Sequence, residues 1–190
     1  AWEQIAGRAR VRLTGPPLRS SIGTGSSPRA RESLGLARRV PTLLVMGGSQ
    51  GSQAINRAFE EARPELRRSG IRMQVIHITG ERDTHPSKEA DEAWSSSSLR
   101  LPFLREIDRA YQAADLVVGR AGATSIAAIA AVGVPALLIP YPHATDSHQQ
   151  VNAECYARRG AAEILPESEM KRGDLARRII ALLGDASRRQ

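Results

Sequence analysis

The chain has 190 residues, of which 41% are hydrophobic, and a net charge of +7 at pH 7, so it is long enough for one globular domain with a sizeable core. Only 4% of the residues are aromatic, which argues against a protein that stacks single-stranded nucleic acid on aromatic rings. Cys155 is the single cysteine, which excludes an intrachain disulfide, and no apolar run reaches the length of a membrane span.

The first forty residues are predicted to lie outside the main domain. Residues 10–13 have the pattern of one short strand, and TGPPLR at residues 14–19 is an extended turn because its glycine and prolines restrict the backbone. Residues 20–28 are rich in serine and glycine and are predicted to be a flexible linker, followed by a short helix at about residues 30–36. We therefore predict three parts, namely residues 1–19 as the remnant of a preceding amino-terminal domain, 20–40 as linker and short helix, and 41–190 as one domain.

From residue 41 onward, apolar runs of strand length alternate with helical patterns. The run at residues 42–46 is bounded by Pro41 and Gly47 and is typical of a fully buried strand. Strands are predicted at residues 42–46, 73–79, 99–103, 116–118, 135–139 and 162–165. Helices are predicted at residues 54–66, 107–114, 123–132, 149–159 and 174–183, and a polar, serine-rich loop at residues 80–98. This alternation predicts an α/β fold, a Rossmann-like parallel sheet of about six strands with helices on both faces.

Two glycine-containing turns follow predicted strands and lead into helices. The first, GGSQG at residues 47–51, matches neither a P-loop nor a dinucleotide fingerprint, and the second carries Thr124 and Ser125. Helix N-termini offer unpaired N–H groups to anions, and ligands bind outside the carboxyl ends of parallel strands. The two turns therefore predict a diphosphate site, with tight turns and ordinary helix capping as the alternative. Arg120, just before the second turn, is expected at the surface or in an ion pair.

The loop after the fifth predicted strand is unusually polar. It contains three side chains of metal-ligand type, His143, Asp146 and His148. Their spacing matches no structural or catalytic zinc site, and the sequence has no Asp-x-Asp pair to bridge a metal and a diphosphate, so neither metal nor cofactor is expected. Uncharged amides follow at Gln149, Gln150 and Asn152, and such groups suit a hydroxyl-rich ligand such as a sugar.

Three segments together resemble one enzyme family. They are TGPPLR at residues 14–19, GGSQGSQAIN at 47–56, and PFLREIDRAYQAADLVVGRAGATSIAAIAAVGVPALLIPYPHATDSHQQVNA at 102–153. In this order they resemble the carboxyl-terminal half of the MurG family, the family 28 N-acetylglucosaminyltransferases of peptidoglycan synthesis, which have the two-domain GT-B architecture.

The resemblance implies which of the two domains of such an enzyme binds the donor and which binds the acceptor. The carboxyl-terminal domain would bind the donor, UDP-N-acetylglucosamine. The amino-terminal domain would bind the lipid-linked muramyl-pentapeptide acceptor and supply the general base, so this chain alone is not expected to turn over. The implied location is cytoplasmic, at the inner face of the bacterial cell membrane, with peripheral contact to anionic lipid and no nucleic-acid partner.

The resemblance also implies which residues bind the donor. Those at the diphosphate are Arg19, Ser49, Ala123, Thr124 and Ser125. Those at the uracil are Phe103 and Leu104, the latter through its backbone. Those at the sugar hydroxyls are Gln149 and Asn152, with His148 and Gln150 next to them.

Two positions depart from the family pattern. Ala128 stands where the family has a glutamate that holds the ribose hydroxyls, and Pro16 replaces the usual asparagine of the TGNPxR motif. Losing a charged acceptor is expected to weaken donor binding by about 1–3 kcal/mol unless another group replaces it.

Three hypotheses therefore stand at this point. The chain is the donor-binding half of an inverting N-acetylglucosaminyltransferase, or a soluble subunit that works with a membrane partner. The third is a basic module for nucleic acid or anionic lipid, which would bind in a salt-sensitive way. A divergent nucleotide-sugar binding module is a further alternative to the first. Dispersed arginine pairs such as Arg38-Arg39 and Arg67-Arg68 favour a solvated surface over a binding tract.

Overall fold

The computed structural model describes residues 15–23, 27–83, 98–170 and 173–185. Its strands are β1 (Thr42–Met46), β2 (Gln74–Ile78), β3 (Leu99–Leu101), β4 (Leu116–Gly119), β5 (Ala136–Leu138) and β6 (Ala162–Ile164). Its helices are α1 (Ser27–Ser33), α2 (Gln53–Arg68), α3 (Ile107–Ala113), α4 (Ala123–Val132), α5 (His148–Ala157) and α6 (Asp174–Gly184). All six predicted strands are confirmed, most of them shorter by one or two residues than predicted. The predicted strand at residues 10–13 lies outside the described residues, as does most of the predicted loop at 80–98.

The six strands form one parallel sheet in the order β3-β2-β1-β4-β5-β6. From β1 the chain builds the sheet outward through β2 and β3, and it then returns to place β4 on the other side of β1. The carboxyl ends of β1 and β4 are therefore a topological switch point. In open α/β sheets this is where a crevice forms for ligands.

Both faces of the sheet are covered, as predicted. Along β1, Leu43 and Val45 point into the core formed with α2 and α6, whereas Leu44 and Met46 point into the core formed with the remaining helices. Residues on alternate positions of a strand face opposite sides, so a strand buried on both faces is apolar at most of its positions. This is the physical reason why the run of residues 42–46 was recognisable from the sequence.

The segment before β1 packs against the sheet domain. The amide of Gln112 donates to the Ser21 carbonyl at 2.6 Å, and Ala30 of α1 is buried in the core beside α3. Arg31 joins α1 to the end of α3 by donating to the Ala113 carbonyl at 3.0 Å, and it forms an ion pair with Asp115, just after α3, at 2.7 Å. The predicted short helix is present but begins at Ser27, within the stretch predicted to be a linker.

Within the part of the chain that the structure describes, no helix is long and apolar enough to cross a bilayer.

Candidate functional site

The candidate site lies at the switch point, beyond the carboxyl ends of β1 and β4. Met46 ends β1 beside Gly119, the last residue of β4, and from each end the chain turns into a helix, α2 or α4. Two cavities open side by side here. They share four wall residues, two from each turn: Gly48, Ser49, Thr124 and Ser125.

The first cavity, which we call the apolar cavity, has a volume of about 280 Å³. Its described lining residues are Pro17, Leu18, Arg19, Ile22, Met46, Gly48, Ser49, Ile78, Pro102, Phe103, Leu104, Arg105, Ile107, Tyr111, Thr124, Ser125 and Ala128. Phe103 is 56% exposed at the rim, whereas Ala128 is buried in the wall. An apolar cleft of this kind with a few polar groups at one end suits a flat, weakly polar ring such as a nucleobase.

Tyr111 connects the apolar cavity to the junction. It is buried, and burial raises the pKa of its hydroxyl, while a hydrogen bond with Ser125 opposes that shift. The phenol therefore stays protonated at neutral pH and holds the Ser125 side chain at the boundary between the two cavities.

The second cavity, which we call the polar cavity, has a volume of about 730 Å³. It is lined by residues 47–54 and by Arg120, Gly122, Thr124, Ser125, Tyr141, Gln149 and Glu167. These walls offer backbone amides, hydroxyls and three carboxamides, those of Gln50, Gln53 and Gln149. Groups of that chemistry bind phosphate oxygens and sugar hydroxyls.

The two helices that begin at the junction differ in how they are capped. Ser52 is the N-cap of α2, and its hydroxyl accepts from the Ile55 amide at 3.4 Å. Gly122 is the N-cap of α4 and makes no side-chain capping hydrogen bond. The first-turn N–H groups of α4 have no partner within the helix, and they therefore remain available to an anion at the junction.

Arg120 holds the far wall of the polar cavity together. Its guanidinium forms an ion pair with Glu167 at 2.5 Å and donates to the Ser52 hydroxyl at 2.9 Å. It also donates to the carbonyls of Ile139 and Pro140, at 3.2 Å and 3.3 Å. Of the two predicted alternatives, a surface charge or an ion pair, the ion pair is confirmed, and only 9% of this residue is exposed. The buried guanidinium ties the ends of β4 and β5 to the start of α2.

The glycine turn after β1 depends on close backbone packing. Gly51 has φ +76°, and a side chain there would place its Cβ 2.1 Å from the Thr79 carbonyl oxygen. Asn56 fixes that same carbonyl by donating to it at 2.9 Å, and His77 contacts Asn56 at 3.1 Å. Burial and Arg100 lower the pKa of His77 to about 3, so the imidazole is neutral and donates its Nε2–H to Asn56 at ordinary pH.

The sequence-predicted residues divide into two groups. Those around the junction and its two cavities are Arg19, Ser49, Phe103, Leu104, Thr124, Ser125 and Gln149. Arg19 is exposed and donates to the Arg105 carbonyl at 2.8 Å. Gln149 accepts from the Tyr141 amide at 3.1 Å, which anchors its carboxamide at the edge of the polar cavity.

The remaining predicted residues are not among the walls described for either cavity. Gln150 donates to Glu154 at 2.9 Å and lines a separate cavity of about 480 Å³. His148 contacts the Thr145 carbonyl at 2.6 Å, and Asn152 donates to the Ala121 carbonyl at 3.1 Å. Ala123 is exposed in the first turn of α4.

Several wall residues of the apolar cavity were not among the predicted site residues, and Met46, Ile78 and Tyr111 are three of them. Met46 and Ile78 are the last residues of β1 and β2, so the rule that ligands bind beyond carboxyl ends of strands could have found them. Tyr111 has no comparable signal, because it reads simply as one apolar position of a helix. Among the described residues, no three His, Cys, Asp or Glu side chains come together as a candidate metal site.

Comparison with known proteins links these features to one family of domains. Residues 42–190 match the glycosyltransferase family 28 C-terminal domain. The chain is 43% identical to the UDP-N-acetylglucosamine–N-acetylmuramyl-(pentapeptide) pyrophosphoryl-undecaprenol N-acetylglucosamine transferase of Pelobacter propionicus, over 95% of this chain and 52% of that protein. It is 37% identical to the protein of the same name from Halothermothrix orenii, over 95% of this chain and 50% of that protein.

A solved structure agrees with this result. The crystal structure of MurG from Acinetobacter baumannii superposes with a TM-score of 0.69 and 25% identity, covering 94% of this chain and 50% of that one. The chain thus spans about half the length of the proteins that it matches.

Proposed function

The chain belongs to the glycosyltransferase family 28 C-terminal domains, and from that premise we propose that it binds the nucleotide-sugar donor of an N-acetylglucosaminyltransferase. The donor would be UDP-N-acetylglucosamine, and the reaction would belong to peptidoglycan synthesis, as the names of the relatives state for those proteins. One observation carries the proposal. An apolar cavity and a polar cavity meet at two glycine-containing turns, Gly48-Ser49 and Thr124-Ser125.

The two cavities match three of the four chemical parts of the donor, namely the uracil, the diphosphate and the N-acetylglucosamine. The uracil fits the apolar cavity beside Phe103 and Leu104, where backbone groups can read its edge. The diphosphate fits the junction, where the uncapped start of α4 and the hydroxyls of Ser49 and Ser125 offer donors to its oxygens. The N-acetylglucosamine then lies in the polar cavity, within reach of Gln149.

The same arrangement would assist departure of the nucleotide. When the bond from the anomeric carbon to the diphosphate breaks, negative charge grows on the diphosphate oxygen. Donors fixed at the junction stabilise that charge without rearranging. Arg19 is an exposed residue with a long, charged side chain that lines the apolar cavity, and we propose it as a further contact to the diphosphate. Arg120, by contrast, would act by positioning the surrounding turns.

Attack on the anomeric carbon requires an acceptor and a base. We propose that both belong to an amino-terminal half of the kind that the relatives have beyond the matched region. The acceptor would be a lipid-linked muramyl-pentapeptide, which would bring the enzyme to the inner face of the cell membrane as a peripheral protein. The role of this chain is then to orient the donor for that attack.

Calorimetric titration of the chain with UDP-N-acetylglucosamine and with UDP tests the proposal. We expect saturable one-to-one binding of both. Gln149→Ala should weaken binding of the sugar nucleotide about three- to tenfold, the value of one or two hydrogen bonds, and leave UDP binding unchanged, because only the sugar reaches this residue.

The neighbouring substitution Gln150→Ala is the matched control. Gln150 lines the separate cavity, so neither ligand should be affected. Absence of saturable binding by both ligands would contradict the proposed function, and a loss at Gln150 in place of Gln149 would contradict the proposed orientation of the sugar.

A further inference from the structure

The apolar cavity lacks the side chains that usually recognise a sugar ring. Its described walls contain no carboxylate and no carboxamide. Vicinal hydroxyls of a pentose are held tightly by groups that accept two hydrogen bonds at once, and an ionised carboxylate is the strongest of these.

Of the described polar side chains that line the apolar cavity, only Tyr111 is buried. The Tyr111 hydroxyl shares a hydrogen bond with Ser125, and the Arg105 carbonyl already accepts from Arg19. Ser49 and Thr124 stand at the junction, which is the phosphate side. A pentose between the base and the diphosphate therefore meets mainly carbon atoms.

Ala128 marks where the pentose would lie. It follows Thr124 by four residues on α4, and residues four apart lie on the same face of a helix, about 6 Å along its axis. Thr124 lines both cavities, while Ala128 lines only the apolar one. Moving from diphosphate to base, a nucleotide passes from the first turn of α4 to the second, so its pentose faces the methyl group of Ala128.

On the basis of the proposed function, we propose that this site does not read the pentose hydroxyls and accepts 2′-deoxyribonucleoside diphosphates as well as ribonucleoside diphosphates. The physical reason is that a site rejects a ligand lacking a hydroxyl only when a buried polar group is thereby left unpaired. The walls described beside Ala128 hold no such group. The site would then select among nucleotides by their base and their diphosphate only.

Titration of the chain with UDP and with 2′-deoxyuridine diphosphate tests this inference, because the two ligands differ by one hydroxyl. We expect dissociation constants within about threefold of each other, less than the tenfold that corresponds to one strong hydrogen bond. Tighter binding of UDP by tenfold or more would overturn the inference while supporting the proposed function. Failure of both ligands to bind would overturn the proposed function and the inference with it.

A pair of variants tests the placement of the pentose. Ala128→Glu supplies a carboxylate at the second turn of α4 and should make the chain prefer UDP over its 2′-deoxy analogue by about tenfold. Ala130→Glu adds the same charge at an exposed position of the same helix and should leave the ratio near one. Thermal melting establishes that each variant is folded. A folded Ala128→Glu variant with no preference would show that the pentose lies elsewhere, and if that variant does not fold, the unsubstituted chain alone decides.

Discussion

Replacing Gly51 by alanine is expected to lower the free energy of unfolding by about 2–5 kcal/mol, the sum of backbone strain and overpacking. The residue has φ +76°, and the added Cβ would lie 2.1 Å from the Thr79 carbonyl oxygen and 2.8 Å from the Gly80 Cα. Neither neighbour can yield easily. Thr79 is held by Asn56, and the backbone of Gly80 donates to the Pro102 carbonyl at 3.0 Å.

Substitutions at two other glycines of the same region, measured by urea unfolding, separate the cost of backbone strain from the cost of overpacking. Gly48 has φ +92° but nothing within 4 Å of an added Cβ, so Gly48→Ala should cost about 1 kcal/mol, for backbone strain alone. Gly122 has φ −67° and open space around it, and Gly122→Ala should change stability by less than about 0.5 kcal/mol, because a poorer N-cap offsets a stiffer unfolded chain. Equal losses at all three positions would contradict the close-packing account of the turn.

Replacing Arg120 by methionine is expected to destabilise the chain by about 3–5 kcal/mol, the usual cost of removing one partner of a buried ion pair. The change would leave Glu167 without its cation and would remove donors from the Ser52 hydroxyl and the Ile139 carbonyl. Nucleotide binding should fall as well, because these groups fix three walls of the polar cavity. Arg120→Lys should rescue little, since a single ammonium cannot reach the same acceptors at once.

Arg178 offers a control of the same chemistry at the surface. It pairs with Glu163 at 2.7 Å, but 46% of its side chain is exposed, and Arg178→Met should cost less than about 1 kcal/mol. Chemical denaturation of both variants gives the comparison. If Arg120→Met and Arg178→Met lower the free energy of unfolding equally, the buried contacts of Arg120 stabilise the chain no more than a surface ion pair does. The double variant Arg120→Met with Glu167→Gln should recover part of the loss, because it removes the unpaired carboxylate.

The strands were predictable because their burial leaves a simple mark in the sequence. A parallel strand covered on both faces, such as residues 42–46, is almost wholly apolar, with Thr42 as its one polar residue, and the turns that end strands are rich in glycine and proline. The order of the strands was not predictable, because the return from β3 to β4 across β1 depends on tertiary packing. That order is nonetheless what brings Ser49 and Ser125 to one junction.

More of the residues predicted for the diphosphate than of those predicted for the sugar line the two cavities. Gln149 and Gln150 are adjacent in the sequence, and reasoning from residue type treated them alike. Successive residues of a helix point about 100° apart, so only Gln149 reaches the polar cavity, while Gln150 faces Glu154. The burial of Arg120 was not predictable from the sequence around it, because it arises from elements that are distant in sequence.

The most direct test of the central claim is a crystal structure of the chain with UDP bound. We predict the diphosphate between Ser49 and Ser125, at the start of α4, with the uracil in the apolar cavity beside Leu104. Nucleotide bound away from the junction, or with its base in the polar cavity and its diphosphate beside Ala128, would contradict the account.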